Sequence, residues 1–112
     1  MEDGFDLAVI VDDDPDIALA ARLALRDLFK EIETLPSPAN LPAFVQSRSP
    51  DAILLDLNFE RAATDGSEGL DYLGRVMATD PDAAVVIITA HSAVSVAVEA
   101  IKRGASDFVA KP

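Results

Sequence analysis

Four stretches of this chain are apolar with little alternation: FDLAVIV at 5–11, AILLDL at 52–57, AVVIIT at 84–89 and, more weakly, SDFVAK at 106–111. A strand with one wet face alternates apolar and polar residues, so a nearly unbroken run marks a strand covered on both sides, the habit of parallel sheets. EIETL at 31–35 is a fifth strand candidate. Helical periodicity fills the intervals. Ile17, Ala21, Ala24, Leu25 and Leu28 share one face of a helix over 15–29, with Arg22, Arg26 and Asp27 off that stripe. Asp14 stands at the N-cap position and Pro15 at the first helical position. A short helix over 40–48 starts at Asn40, contains Phe44 and Val45, and stops at Ser49-Pro50, because a residue before proline avoids helical geometry. Residues 68–79 place Leu70, Leu73, Val76 and Met77 together. Residues 92–103 turn Val94, Ala97, Val98 and Ile101 inward, and Gly104 ends the helix. Strands and helices alternate from end to end, which specifies an α/β fold built on an open sheet with right-handed crossovers.

The chain has 112 residues, enough for one domain with a real core. Half of them are apolar and only 5% aromatic, so the interior is aliphatic. Twenty acidic residues against nine basic ones give a formal net charge of −11, which repels nucleic-acid phosphates and anionic lipid surfaces. No apolar stretch approaches the roughly twenty residues of a membrane span, and MEDGFD is acidic where a secretory signal is basic. The absence of cysteine removes disulfides and thiolate chemistry. A cytoplasmic protein that binds neither nucleic acid nor membrane directly is expected.

The first apolar run ends in DDDPD, which crowds Asp12, Asp13, Asp14 and Asp16 together. A helix N-terminus accounts for Asp14 and Asp16 but not for Asp12. Asp56, within AILLDLN, is a charge inside a buried run and needs a partner. If the strand order is 2-1-3-4-5, the ligand crevice lies at the carboxyl ends of strands one and three, where Asp12, Asp13 and Asp56 stand. Two such charges about 4 Å apart repel by about 4 kcal/mol at an effective dielectric near 20. A divalent cation removes that conflict, and an all-oxygen donor set without His or Cys favours Mg²⁺. Thr89 closes the fourth strand and Lys111 the fifth.

An acidic pair, a lone Asp, a hydroxyl and a Lys at successive strand ends resemble the receiver domain of two-component response regulators. VIVDDDPDI resembles that family's acidic-pair motif, ILLDLN its phosphoacceptor strand, VVIITA its Thr/Ser-Ala strand end, and AVEAIKRGASDFVAKP its Lys-Pro ending. The resemblance covers nearly the whole chain. It implies a flavodoxin-like sheet of order 2-1-3-4-5 and Mg²⁺-dependent transfer of a phosphoryl group from a sensor histidine kinase to Asp56. It further implies that Asp13, Asp56 and the Asn58 backbone carbonyl bind the metal directly, while Asp12 acts through a metal-bound water. Lys111, the Thr89 hydroxyl and the Ala90 N–H would contact the phosphoryl group. Thr89 and Phe108 would form the switch, read out on the face of the fourth helix and fifth strand. Asn58 and His91, the only histidine, would tune hydrolysis.

The chain also departs from the pattern. DLNFERAATDGSEGL has Phe59-Glu60 where receivers carry Met-Pro, and its glycines come late, giving a longer, polar loop. Similar loops occur in receivers of ATP-dependent enhancer-binding transcriptional activators. The sequence stops at Lys111-Pro112, where the family continues into a fifth helix, so residues 1–112 are expected to be a C-terminally shortened receiver without its output domain. That leaves apolar atoms of the fourth and fifth strands uncovered and invites homodimer formation. Two rival functions share these residues. A haloacid-dehalogenase-like phosphatase needs a second Asp two positions beyond its nucleophile, where this chain has Asn58. A receiver-like interaction module would keep the fold and take no phosphate.

Overall fold

In a computed structural model of the chain, residues 5–56, 67–89 and 94–110 are described. Five parallel strands, β1 (Phe5–Val11), β2 (Phe29–Leu35), β3 (Ala52–Asp56), β4 (Val85–Thr89) and β5 (Asp107–Ala110), form one sheet in the order β2-β1-β3-β4-β5. Four helices connect them: α1 (Pro15–Leu25), α2 (Leu41–Arg48), α3 (Ser67–Thr79) and α4 (Val94–Lys102). This is the flavodoxin-like order expected from the sequence. β1 and β3 are neighbours because β2 is displaced to the edge, and that adjacency brings together side chains 44 positions apart.

Register divides the sheet into two faces. Val9 pairs with Ile53, Ile53 with Val85 and Ile87 with Phe108, so these side chains share one side. There Val9, Val11, Ile53, Leu55, Val85 and Ile87 pack with Leu41 and Val45 of α2, Leu73 and Val76 of α3 and Ala100 of α4. At about 25 cal/mol per Å² of apolar area removed from water, this is the main stabilising layer. The opposite face carries Ala8 and Ile10, both fully buried, with Ile88 and Val109 toward the far edge. α1 lies on this side.

α4 corrects one expectation, since its Ala97 and Ala100 are buried while Val98 and Ile101, expected inward, are 45% and 39% exposed, and α1 corrects another. Its half-buried positions are Ile17, Ala18, Ala21, Arg22 and Leu25, whereas Ala24 and Leu28 are exposed and the helix ends at Leu25. No α1 residue is fully buried, and Leu19 and Leu23 remain about half exposed. The stripe was misread because Ala- and Leu-rich text fills several faces, and neighbouring elements choose among them. Of the fourth and fifth strands, both expected to leave apolar atoms uncovered on this face, β5 has Val109 55% exposed, whereas Ile88 of β4 is buried.

Local caps fix the element boundaries. The Asp14 carboxylate accepts from Asp16 N–H at 2.9 Å, as its N-cap position requires. Asn40 precedes α2 without a side-chain cap, since a 3₁₀ turn (Pro38–Asn40) comes first and Ser37 caps that turn. Asp51 tethers the start of β1 by accepting from Asp6 N–H at 2.7 Å and Leu7 N–H at 3.1 Å. Gly104 follows α4 at φ +117°, a conformation that favours glycine.

Candidate functional site

The site begins with strand register. Val11 of β1 pairs with Leu55 of β3, so the next residues, Asp12 and Asp56, leave the sheet side by side. Asp12 N–H bonds the Leu35 carbonyl at 3.1 Å, fixing the exit from β1 against the edge strand. One oxygen of Asp12 accepts from Asp14 N–H at 2.9 Å. That contact turns the chain into α1 and orients the Asp12 carboxylate.

One carboxylate oxygen from each of Asp12, Asp13 and Asp56 lies within 4.8 Å of the other two. Asp56 is fully buried and Asp12 is 4% exposed, while Asp13 reaches solvent. Three negative groups in so small a volume, two of them desolvated, repel strongly unless positive charge joins them. The donors are hard oxygens, and the exposed Asp13 leaves one side open to solvent. These residues fit a divalent cation of the Mg²⁺ class, which takes a few carboxylates and retains several waters.

The other sequence candidates fall on two levels. Thr89 is the last residue of β4, one position beyond the Ile88 that pairs with Asp56, and it pairs in turn with Ala110. Those two pairings align the end of β4 with the Asp56 end of β3 and with the residue that precedes Lys111. Phe108 lies on β5 opposite Ile87 and is 36% exposed. Asn58, Ala90, His91 and Lys111 lie outside the described residues.

Beside the acidic cluster, a cavity of about 420 Å³ opens between α1 and β2, bounded by Asp12, Asp13, Ala18, Arg22, Thr34 and Leu35 among others. Arg22 at this wall was missed by sequence reasoning, which left it off the helix stripe. Its spacing from Ala18 is the signal that could have found it, since residues three or four apart return to the same side of a helix.

Comparison with known proteins agrees with this geometry. The family described as response regulator receiver domain matches residues 8–112. The nitrogen assimilation regulatory protein NtrX of Azorhizobium caulinodans is 38% identical over 104 residues, covering 93% of this chain and 22% of that protein. The alginate biosynthesis transcriptional regulatory protein AlgB of Pseudomonas syringae pv. tomato is also 38% identical, with the same coverage. The chain therefore spans about a fifth of the length of these relatives. Among solved structures, the N-terminal signal receiver domain of a two-component response regulator from Bacteroides fragilis superposes with a TM-score of 0.84 at 37% identity, covering 97% of this chain and 86% of that one.

Proposed function

Because the chain belongs to the response regulator receiver domain family, we propose that it is a phosphorylation-operated switch whose Asp56 accepts a phosphoryl group from a phosphohistidine of a sensor kinase. The observation that carries this reading is the meeting of Asp12, Asp13 and Asp56 at the ends of two adjacent strands. A carboxylate oxygen of Asp56 attacks phosphorus. The new O–P bond forms as the P–N bond breaks, and the departing imidazole nitrogen keeps the electron pair.

Asp13, Asp56 and the Asn58 backbone carbonyl are the groups to hold Mg²⁺, with Asp12 acting at one remove. When bound, the ion supplies positive charge that offsets the charge on the phosphoryl oxygens. The protein's own part is positional. Burial fixes Asp56 at the end of a rigid strand, and Asp14 N–H holds one Asp12 oxygen. Lys111, the Thr89 hydroxyl and the Ala90 N–H are assigned to the phosphoryl oxygens, a role supported by the pairing of Thr89 with Ala110, the residue before Lys111. Drawing Thr89 toward the phosphoryl group frees space beside β5, and Phe108 moves into it as the switch. Asn58 and His91 are assigned to tuning how fast water later attacks the acyl phosphate. The downstream output is transcription, by analogy with the regulators that this chain resembles, and 1–112 is the receiver unit of that assembly.

Intact-mass measurement after incubation with acetyl phosphate and Mg²⁺ tests the proposal. The expected result is a gain of one phosphoryl mass in the wild type and none in Asp56→Asn. Folded wild type that gains no mass would indicate an interaction module, and continuous release of phosphate from a phosphoester would indicate a phosphatase.

A further inference from the structure

Away from the acidic cluster, α1 and the edge strand β2 enclose a second concavity, about 310 Å³, lined by Arg22, Leu23, Arg26, Phe29, Lys30 and Ile32. It concentrates three of the chain's nine cationic side chains on a domain of net charge −11. Among the described residues neither Arg22 nor Arg26 forms an ion pair, and Lys30 has only Asp6 at 3.3 Å, both side chains being largely exposed. An ion pair so wet contributes little and is easily displaced. Cations at a helix C-terminus are ordinary, and that accounts for Arg22 and Arg26. It does not account for Leu23, Phe29 and Ile32 lining the same concavity, nor for a third cation contributed by the strand. Half of Leu23 is exposed there.

The geometry points to a docking notch for an acidic, aliphatic peptide segment of a protein partner, its carboxylates on Arg22, Arg26 and Lys30 and an aliphatic side chain on Leu23, Phe29 and Ile32. Charge complementarity selects this occupant over nucleic acid. A duplex carries about one negative charge per 1.7 Å, and its continuous charge would face the acidic remainder of the domain. A peptide with two or three carboxylates confines its charge to the notch, within the roughly 8 Å over which exposed charges are felt at physiological salt. Arg22 is the one lining residue that the notch shares with the cavity beside the acidic cluster. Arg26 and Lys30 belong to the notch alone, so the variants that test it leave the phosphoacceptor site intact.

The test uses the full chain and a fluorescein-labelled hexapeptide of alternating Glu and Leu, followed by anisotropy and by amide chemical-shift mapping. Expected are saturable binding, shifts confined to residues 22–32, and a loss of affinity of about tenfold in the double variant Arg26→Glu/Lys30→Glu. Leu23→Ser should weaken binding too, and unlabelled hexaglutamate should compete poorly. Unchanged phosphoryl uptake at Asp56 shows that both variants are folded. Equal binding by the double variant, shifts elsewhere, full competition by hexaglutamate, or preferential binding of duplex DNA would each overturn the proposal.

Discussion

Asp13 is the most exposed member of the acidic cluster, and its removal separates charge from fold. Without divalent cations, Asp13→Asn relieves repulsion toward Asp12 and Asp56, so the variant should be more stable than wild type by about 1 kcal/mol in urea unfolding. Mg²⁺ should reverse the ranking. An ion that binds only the native state adds about 2.7 kcal/mol at a hundredfold excess over its Kd, and Asp13→Asn should show little of that gain in the same titration. A second residue-scale expectation concerns Glu31, whose carboxyl is held below the usual range chiefly by its hydrogen bond with Arg48 at 3.0 Å. A depressed carboxyl contributes stability above its unfolded pKa and loses it as pH falls through the folded value. Wild type should therefore lose more stability than Arg48→Ala between pH 6 and pH 3, by a small margin because both side chains are wet. Urea midpoints across that range check it.

At the scale of elements, chain breaks and caps carry the sharpest consequences. A Cβ on Gly104 would lie 3.2 Å from two side-chain atoms of Met77, and its φ of +117° disfavours any L side chain. Gly104→Ala should cost about 1–3 kcal/mol, read as a lowered urea midpoint. Asp14→Ala should cost about 1 kcal/mol by leaving Asp16 N–H without its cap. The strands were legible because a residue buried on both faces has almost no alternative to Val, Ile, Leu or Ala, as in LAVIV and VVII. Asp12, Asp13 and Asp56 were legible for the converse reason, since carboxylates at the ends of such runs demand a partner. The inward side of α1 was not. Ala24 and Arg22 exchanged the roles expected of them, because an Arg stem packs well along apolar surface while its head reaches a cavity wall. Ser37 was missed as a cap because the 3₁₀ turn it serves has no hydrophobic period to announce it.

The whole molecule is governed by two facts, a formal charge of −11 and a core built mainly on one side of the sheet. Self-repulsion at that charge predicts that sodium chloride alone, without divalent cations, raises the thermal midpoint between low and physiological ionic strength, as scanning calorimetry can measure. The core cluster lies with α2, α3 and α4, so the α1 side is the less stable half, and amide exchange should be faster in α1 than in β1 or β3. Topology adds a last consequence. Asp12 and Asp56 meet only after β1 has paired with β3, across an edge strand and two helices that intervene in the chain. A denatured chain holds Asp12 and Asp13 together in DDDPD and Asp56 far from both. Acquisition of tight Mg²⁺ affinity during refolding is thus a timestamp for closure of the sheet's centre, and a fluorescent chelator in stopped flow would record that moment directly.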